Sequence, residues 1–384
     1  MKRILALAKA YYPHLGGVET IVRSVAEGVI RHGYKTTVLC FGNGPQEEVI
    51  EGVEVRRVRP SLSLGSGSLS PDYFRMFKRL AADADLVHIH SPNPAGETAW
   101  LFAPKEIRRA LPSLCTYQGD PVRPRLLVPA YLALLRAFIV RCSRVAVSSP
   151  RLLASSRALG KERERCTVIP LGIKTARFVR ASRSPEEIPN ATERSKEPIS
   201  GLKRPRGLFV GRMVYYKGVD VLLRAAALLP RLSLLLVGDG PLRPGLELLA
   251  RDLGISGRVR FVSPVDDESY PSLFRLADFF VLPSVSPSEA FGLSLAEAMA
   301  SGLPAVSTEL GTGTSYVNLD GETGLVVAPG DPSALAGAMK QLCDDPERAA
   351  LMGGKAALRT VTMFDEDVMV RAYCDLYREL LAGR

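Results

Sequence analysis

The sequence predicts an α/β protein built from two doubly wound domains in succession, and three observations predict it. Short β-rich runs alternate with amphipathic helical stretches, the mark of βαβ units and a parallel sheet. A polar, charged, proline-bearing segment at 180–206 interrupts that alternation near the middle of the chain. At 384 residues the chain exceeds what one hydrophobic core ordinarily serves.

In the first half, residues 4–8, 36–40, 86–90, 114–117, 144–147 and 167–169 read as strands, with helical patterns such as 18–32 between them. Strands resume after the polar segment at 207–210, 233–237, 259–262, 279–282, 305–307 and 324–327, and a last helical stretch covers 366–381. The expected division is therefore 1–179 for the first domain, 180–206 for a linker or loop, and 207–361 for the second domain. No internal sequence repeat is visible. In such sheets ligands bind at the carboxyl ends of the strands, and two facing domains would hold theirs in the cleft between them.

Composition narrows the class. Hydrophobic residues make up 46% and charged residues 23%, as in globular proteins generally. The six cysteines are scattered, with no CxxC pair and no Cys/His cluster, which argues against a disulfide framework or a zinc site and for a reducing cytoplasm. The opening Met1-Lys2-Arg3-Ile4-Leu5-Ala6-Leu7-Ala8 looks briefly like a signal peptide. Its apolar run stops at Lys9, and Tyr11-Tyr12-Pro13 is no cleavage site, so a buried first strand is expected. No apolar run approaches the roughly 20 residues that cross a bilayer.

The net charge is +10 and unevenly placed. Residues 101–165 hold thirteen Lys/Arg against four Asp/Glu, a net +9. Such a patch attracts an anionic partner. No nucleic-acid motif accompanies it, so nucleic acid is not expected. Within 123–144 basic residues flank the apolar stretch Leu126 to Leu135, as suits an anionic membrane surface; the plainer reading is a surface helix with a solvated basic face.

The densest chemical signal is Ser288-Glu289-Ala290-Phe291-Gly292-Leu293-Ser294-Leu295-Ala296-Glu297. A helix is expected to start near Leu293 and to stop at Gly302, a helix-terminating residue. Amides from Phe291 to Ser294 then face open space at a helix N-terminus, an anion site, and Gly292 admits close backbone approach. Glu289 in the loop and Glu297 about two turns into the helix are suited to accept hydrogen bonds from sugar hydroxyls. A hexose and a ribose joined by a diphosphate fit this layout, with Glu289 on the hexose and Glu297 on the ribose. Helix-end charge complementarity for Glu289 and a solvated face for Glu297 are the plain readings, but Leu295, Ala296 and Met299 place Glu297 in a buried stretch where an unpaired carboxylate is costly.

Gly211-Arg212-Met213-Val214-Tyr215-Tyr216-Lys217-Gly218 follows the first strand of the second domain. Arg212 can clamp a phosphate with two parallel hydrogen bonds and Lys217 adds a point charge, together stabilising a departing diphosphate. Pro13-His14-Leu15-Gly16-Gly17 after the first strand is either a phosphate-contacting loop or a common turn. Val237-Gly238-Asp239-Gly240-Pro241 is either part of a base pocket or a tight turn. Asp83-Ala84-Asp85 has the spacing of a metal-binding DxD string, yet it directly precedes a strand and reads as a turn, so no metal is expected.

Taken together, the Gly211-Arg212…Lys217-Gly218 run, Gly238-Asp239-Gly240-Pro241 and the Glu289…Glu297 pair with Phe291-Gly292 resemble the retaining GT-B glycosyltransferases of family 4 (glycosyl transferases group 1) over nearly the whole chain. More narrowly, Asp85-Leu86-Val87-His88-Ile89-His90-Ser91-Pro92-Asn93-Pro94 and residues 308–318 resemble bacterial mannosyltransferases of surface-polysaccharide assembly. The resemblance implies a nucleotide-diphosphate sugar as co-substrate, GDP-mannose before a UDP-hexose, and a saccharide or lipid-linked acceptor.

It also implies roles. Arg212 and Lys217 would bind the diphosphate. Glu289 and the Phe291–Leu293 backbone would hold the transferred sugar, and Glu297 the ribose. Gly16 and Gly17 would close over the diphosphate, while Gly211, Gly238, Val265 and Ala290 would complete the donor site. Retention is thought to proceed by front-face attack, with the leaving phosphate helping to take the acceptor's proton. The 362–384 segment would cross back to the first domain, and 123–144 would dock on the cytoplasmic membrane face.

One departure stands out. Where many relatives carry a histidine after Thr-Tyr, this chain has Thr116-Tyr117-Gln118-Gly119-Asp120. Gln118 can donate and accept a hydrogen bond but cannot carry a proton charge. His88, His90 and Asp120 are the remaining acceptor-side candidates. Other readings stay open. A sugar-nucleotide epimerase could share the architecture, and a non-catalytic scaffold subunit is consistent with Gln118. A glycoside hydrolase also uses two carboxylates but has no need of a diphosphate clamp.

Overall fold

The computed structural model describes residues 1–13, 16–64, 67–122, 126–179 and 201–383. The greater part of the expected linker (180–200), His14, Leu15, Arg123 and Arg125 lie outside the described residues. The chain forms two compact units, Met1–Gly172 with Glu366–Arg384, and Ile173–Asp365.

The strands of the first unit are β1 (Lys2–Leu7), β2 (Tyr34–Phe41), β3 (Glu47–Ile50), β4 (Val53–Val58), β5 (Leu62–Leu64), β6 (Gly67–Leu69), β7 (Leu86–Ser91), β8 (Ser113–Tyr117), β9 (Arg144–Val147) and β10 (Cys166–Val168). Among the described residues its main sheet runs β10-β9-β8-β7-β1-β2-β4-β3. Every pairing in it is parallel except the β3–β4 hairpin, and β5 pairs with β6 in a separate ribbon. Strands β1 and β7 are Val/Ile/Leu-rich because helices cover both faces of a parallel sheet. The chain proceeds outward from β1 through β2 on one side and from β7 on the other, so the order reverses between β1 and β7.

The second unit repeats the plan with β11 (Arg206–Val210), β12 (Ser233–Val237), β13 (Val259–Val262), β14 (Phe279–Leu282), β15 (Ala305–Thr308) and β16 (Gly324–Val327), ordered β13-β12-β11-β14-β15-β16 and parallel throughout. Leu234, Leu235 and Leu236 are all fully buried, as a strand covered on both faces requires. The order reverses between β11 and β14, and a crevice outside the carboxyl ends forms at such a point.

The helix Glu366–Ala382 belongs to the first unit. Tyr377 and Tyr373 reach from it into the sheet. Tyr377 Oη lies 2.6 Å from His88 Nδ1, and Tyr373 Oη lies 2.8 Å from Thr116 Oγ1. Arg31 to Asp367 at 3.0 Å and Arg144 to Glu379 at 2.6 Å add ion pairs at the rim. The helix is thereby fastened by a buried polar network as well as by its apolar stripe.

Candidate active site

In the second unit the loops after β11, β12 and β14 are stitched together at the carboxyl edge of the sheet. Gly211 N donates to Val237 O at 3.0 Å, Met213 N to Asp239 O at 2.8 Å, and Val285 N to Tyr216 O at 2.8 Å. Two glycines make this stitching possible. Gly218 has φ 63°, and a Cβ there would meet Pro283 O at 2.1 Å. Gly238 has φ 138°, and a Cβ there would meet Gly211 O at 2.1 Å. Side chains at either position would push the loops apart.

Held this way, Lys217 from the β11 loop and Glu289 from the β14 loop meet across the reversal point. Lys217 Nζ lies 2.6 Å from Glu289 Oε2, with 11% and 10% of the side-chain surfaces exposed. Burial works against the Lys217 ammonium, yet the adjacent Glu289 carboxylate outweighs it and the group is shifted upward from 10.5. Ser284 Oγ donates to the same Glu289 oxygen at 3.2 Å, and Thr312 Oγ1 donates to the Glu289 carbonyl at 2.7 Å. Arg212 is exposed, with no side-chain hydrogen bond or ion pair among the described residues. It is a free fork of donors on the loop after β11.

The helix Leu293–Ala300 begins beside the pair. Gly292, at φ 86° and ψ 65°, is its N-cap and offers no side-chain cap. Among the described residues the amides of Phe291, Gly292, Leu293 and Ser294 have no acceptor. Phe291 turns its ring into the core against Phe364, at 5.6 Å between centroids. Ala290 uses its carbonyl to accept from Gly313 N at 2.7 Å. The result is a cradle of free donors next to a lysine and a carboxylate. Glu297 lies further along this helix, where burial raises its carboxyl above 4.5 against the hydrogen bond from Tyr270 Oη to its Oε2 at 2.6 Å. Val265 is half-buried in the loop after β13.

In the first unit the expected residues divide. Gly16 precedes the helix Gly17–Ile30, and a Cβ on it would strike Glu19 Oε2 at 2.3 Å. His88 has both ring nitrogens occupied, by Tyr377 and by Thr116 Oγ1 at 2.7 Å, and burial holds it well below 6.5. Asp120 is engaged by Tyr117 Oη, Ser156 Oγ, Ala158 N and Arg157 N, which makes it the anchor of its own loop. His90 Nδ1 and Gln118 Nε2 are buried and find no partner among the described residues. They sit at the carboxyl ends of neighbouring strands, where Gln118 N donates to Ser91 O at 3.0 Å. Burial holds His90 down to about 3, so it is neutral at neutral pH.

The Asp83-Ala84-Asp85 string lies at the opposite, amino edge of this sheet. Asp85 accepts from Lys2 Nζ at 2.9 Å and from Arg3 N at 2.8 Å. Among the described residues no group of three or more His, Cys, Asp or Glu side chains could hold a metal ion. Sequence reading did not identify the roles of Tyr270 and Ser284, which donate to the Glu297 and Glu289 carboxylates, or of Thr312, which donates to the Glu289 backbone carbonyl.

The two units match two family models, Glycosyltransferase Family 4 over residues 15–177 and Glycosyl transferases group 1 over residues 191–359. The D-rhamnosyltransferase WbpZ of Pseudomonas aeruginosa is 36% identical over 94% of this chain and 92% of its own length. The O-antigen chain mannosyltransferase C of Escherichia coli is 31% identical over the whole of both chains. The chain belongs to glycosyltransferase family 4. Solved structures agree on the fold of this glycosyltransferase. The sucrose-phosphate synthase of Thermosynechococcus elongatus superposes with a TM-score of 0.82 at 23% identity, covering both chains entirely. HepE of Anabaena in complex with UDP-glucose superposes with a TM-score of 0.77 at 21% identity, covering 99% of this chain and 100% of its own. The architecture is GT-B, as the motifs implied.

Proposed function

We propose that this glycosyltransferase moves a hexose, mannose first, from a nucleotide-diphosphate sugar to a saccharide or lipid-linked acceptor in bacterial surface-polysaccharide or glycolipid assembly. The observation that carries the reading is the meeting of Lys217 and Glu289 at 2.6 Å beside the uncapped helix Leu293–Ala300. In a sugar diphosphate the sugar hydroxyls and the bridging phosphate are neighbours. A carboxylate for the hydroxyls and an ammonium for the phosphate must therefore be neighbours too.

In this reading Lys217 and the free Arg212 meet the charge that builds on the departing diphosphate, while the open amides of Phe291 to Ser294 supply dipoles already in place. Glu289 and the Ala290–Leu293 backbone hold the transferred sugar. Glu297 takes the ribose. Gly16 and Gly17 close on the diphosphate, and Gly211, Gly238 and Val265 complete its surroundings. No residue in this scheme calls for a metal, because the leaving charge is met by two cations. The outcome is retention by front-face attack: the acceptor oxygen bonds to the anomeric carbon as the carbon–phosphate-oxygen bond breaks, and the acceptor's proton passes to the leaving phosphate. Gln118 and His90, each with a buried nitrogen that has no partner among the described residues, are the groups for the acceptor's hydroxyls. The relative named for O-antigen mannosyl transfer supports mannose as the transferred sugar, and the donor in this reading is GDP-mannose before a UDP-hexose. The protein works at the inner face of the cell membrane, docked through 123–144.

A thermal-shift panel of GDP-mannose, other GDP-sugars and UDP-hexoses tests the donor, since a ligand that binds only the native state raises the melting point. A shift with GDP-mannose, followed by transfer of an α-mannosyl unit to a saccharide primer, is expected. Binding of none of these sugars would overturn the reading.

A further inference from the structure

Glu297 is held by a residue outside every motif in the chain. Tyr270 donates its hydroxyl to Glu297 Oε2 at 2.6 Å, the length of a strong, charge-assisted bond. The other oxygen, Oε1, has no partner among the described residues and is not among the fully buried unpaired atoms. The carboxylate is thus fixed on one side and open on the other.

The phenol is itself fixed. Phe274 stands edge-on to its ring at 5.6 Å and Phe178 at 6.2 Å, and Phe178 and Phe274 pack on each other at 5.5 Å. The turn before it is pinned by Asp266, whose Oδ1 accepts from Ser269 N at 2.8 Å and whose carbonyl accepts from Tyr270 N at 3.0 Å. Tyr270 therefore has one direction in which to point its hydroxyl, and Glu297 lies there. Arg177, close to the same carboxylate, is engaged with Asp267 at 3.0 Å, so its charge acts on Glu297 from a distance.

From this geometry we propose that Tyr270 is a positioning residue for nucleotide recognition: it clamps Glu297 Oε2 so that Oε1 is presented to the ribose hydroxyls of the donor. The proposal rests on the assignment of Glu297 to the ribose. The phenol is suited to the task because burial and the adjacent carboxylate keep it protonated far above neutral pH, so it donates and never competes as an anion. A water molecule in its place would be free to turn, and the carboxylate with it.

The test is a calorimetric comparison of GDP and UDP with their 2′-deoxy and 3′-deoxy forms on the full chain, for wild type, Tyr270→Phe, Glu297→Gln and the double variant. Wild type is expected to prefer a ribonucleotide over its deoxy forms at least tenfold. In Tyr270→Phe that preference should fall to about threefold, with KM for the nucleotide sugar raised about tenfold, or roughly 1.4 kcal/mol, and kcat and pyrophosphate affinity unchanged. The double variant should match Glu297→Gln alone. Should Tyr270→Phe fold poorly, 3-fluorotyrosine at position 270 keeps the shape and donates more strongly. It should then move the acid limb of nucleotide-sugar binding to lower pH. Undiminished ribose preference in Tyr270→Phe, or an unmoved acid limb with fluorotyrosine, overturns the clamp alone. Failure of the wild type to bind either nucleotide overturns the proposed function and the clamp with it.

Discussion

Lys217 Nζ and Glu289 Oε2 sit 2.6 Å apart, on loops that leave β11 and β14, the two strands between which the order of the second sheet reverses. The pair is nearly buried, so neither charge can be removed without leaving the other uncompensated. Each ion thus serves twice, for the folded state and, in the proposed reaction, for the donor.

That double duty gives a stability signature. Lys217→Ala and Glu289→Ala should each abolish transfer and each destabilise the protein by about 3 kcal/mol, since a buried ion loses its partner. A Lys217→Met, Glu289→Leu double variant should recover most of that stability while remaining inactive. Chemical denaturation and an initial-rate assay separate the two effects. Normal turnover in either single variant would remove the pair from the mechanism.

Gly218 tests the backbone that sets the pair. Its φ of 63°, and the 2.1 Å that would separate Pro283 O from a Cβ at this position, leave no room for alanine. Gly218→Ala should cost at least about 2 kcal/mol, combining left-handed strain with displacement of the loop. Nucleotide-sugar affinity should fall with it, because Lys217 precedes the glycine directly. Gly254 also has a positive φ, of 68°, but faces open space, so Gly254→Ala should lose only the strain part and keep its affinity.

Glu297 predicts an acid limb. Burial raises its folded-state value above 4.5, against the Tyr270 hydrogen bond and the charges of Arg177 and Lys217. As pH falls through that raised value the carboxylate is neutralised and its open oxygen accepts hydrogen bonds more weakly. Affinity for a nucleotide sugar, which lacks the terminal phosphate ionisation near pH 6, should therefore drop with a midpoint above 4.5, and Glu297→Gln should lack that limb. The stability linkage runs in the opposite direction. A raised carboxyl costs stability as pH rises from the unfolded value through the folded one, so Glu297→Gln should gain on wild type over that window.

Much of the fold was legible in the chain itself, for a physical reason. Strands β9, β12, β13, β14 and β16 coincide with the runs read from the sequence, and the reason is plainest in β12 and β14, inner strands of a parallel sheet that are buried at every position. The β3–β4 hairpin was not foreseen. Its strands mix Glu48, Glu54, Arg56 and Arg57 with valines at the sheet edge, where no continuous apolar run is needed. The motif residues Arg212, Lys217, Glu289 and Glu297 could be named from loop position and residue type. That Lys217 pairs with Glu289, and Tyr270 with Glu297, depends on the strand order, which brings together residues far apart in sequence. Asp120 and His88 show the converse: both were reasonable candidates by residue type, and the structure places each within a closed set of protein hydrogen bonds.

His90 predicts acid sensitivity. Burial holds it at about 3 against an ordinary 6.5, so the folded state keeps it neutral while the unfolded chain takes up a proton. Its depressed value means that stability present above 6.5 is lost as pH falls toward 3, at about 1.4 kcal/mol per pH unit. Between about pH 7 and pH 5 the loss is about 2 kcal/mol, and His90→Phe should remove that part of the slope. An unchanged slope in the variant would mean that the ring is hydrated or paired in solution.

The basic region gives the last prediction. In the helix Val128–Val140, Leu132, Leu135, Phe138 and Ile139 face the core. Ala130, Ala133, Arg136 and Val140 are exposed, and Leu126, just before the helix, is 94% exposed. Apolar residues with interspersed arginines on an outward face suit the boundary between headgroups and acyl chains. No helix among the described residues is long and apolar enough to cross a membrane. Each arginine near an anionic surface contributes about 1 kcal/mol, an attraction that salt screens. Binding to phosphatidylglycerol-containing vesicles should therefore weaken about fivefold in each of Arg136→Gln and Arg141→Gln, and fall steeply with ionic strength. Leu126→Asp should weaken binding at every salt concentration, because it removes apolar burial rather than charge. Cosedimentation across a salt series distinguishes the two slopes. Equal binding to neutral and anionic vesicles would leave the basic face without a membrane role.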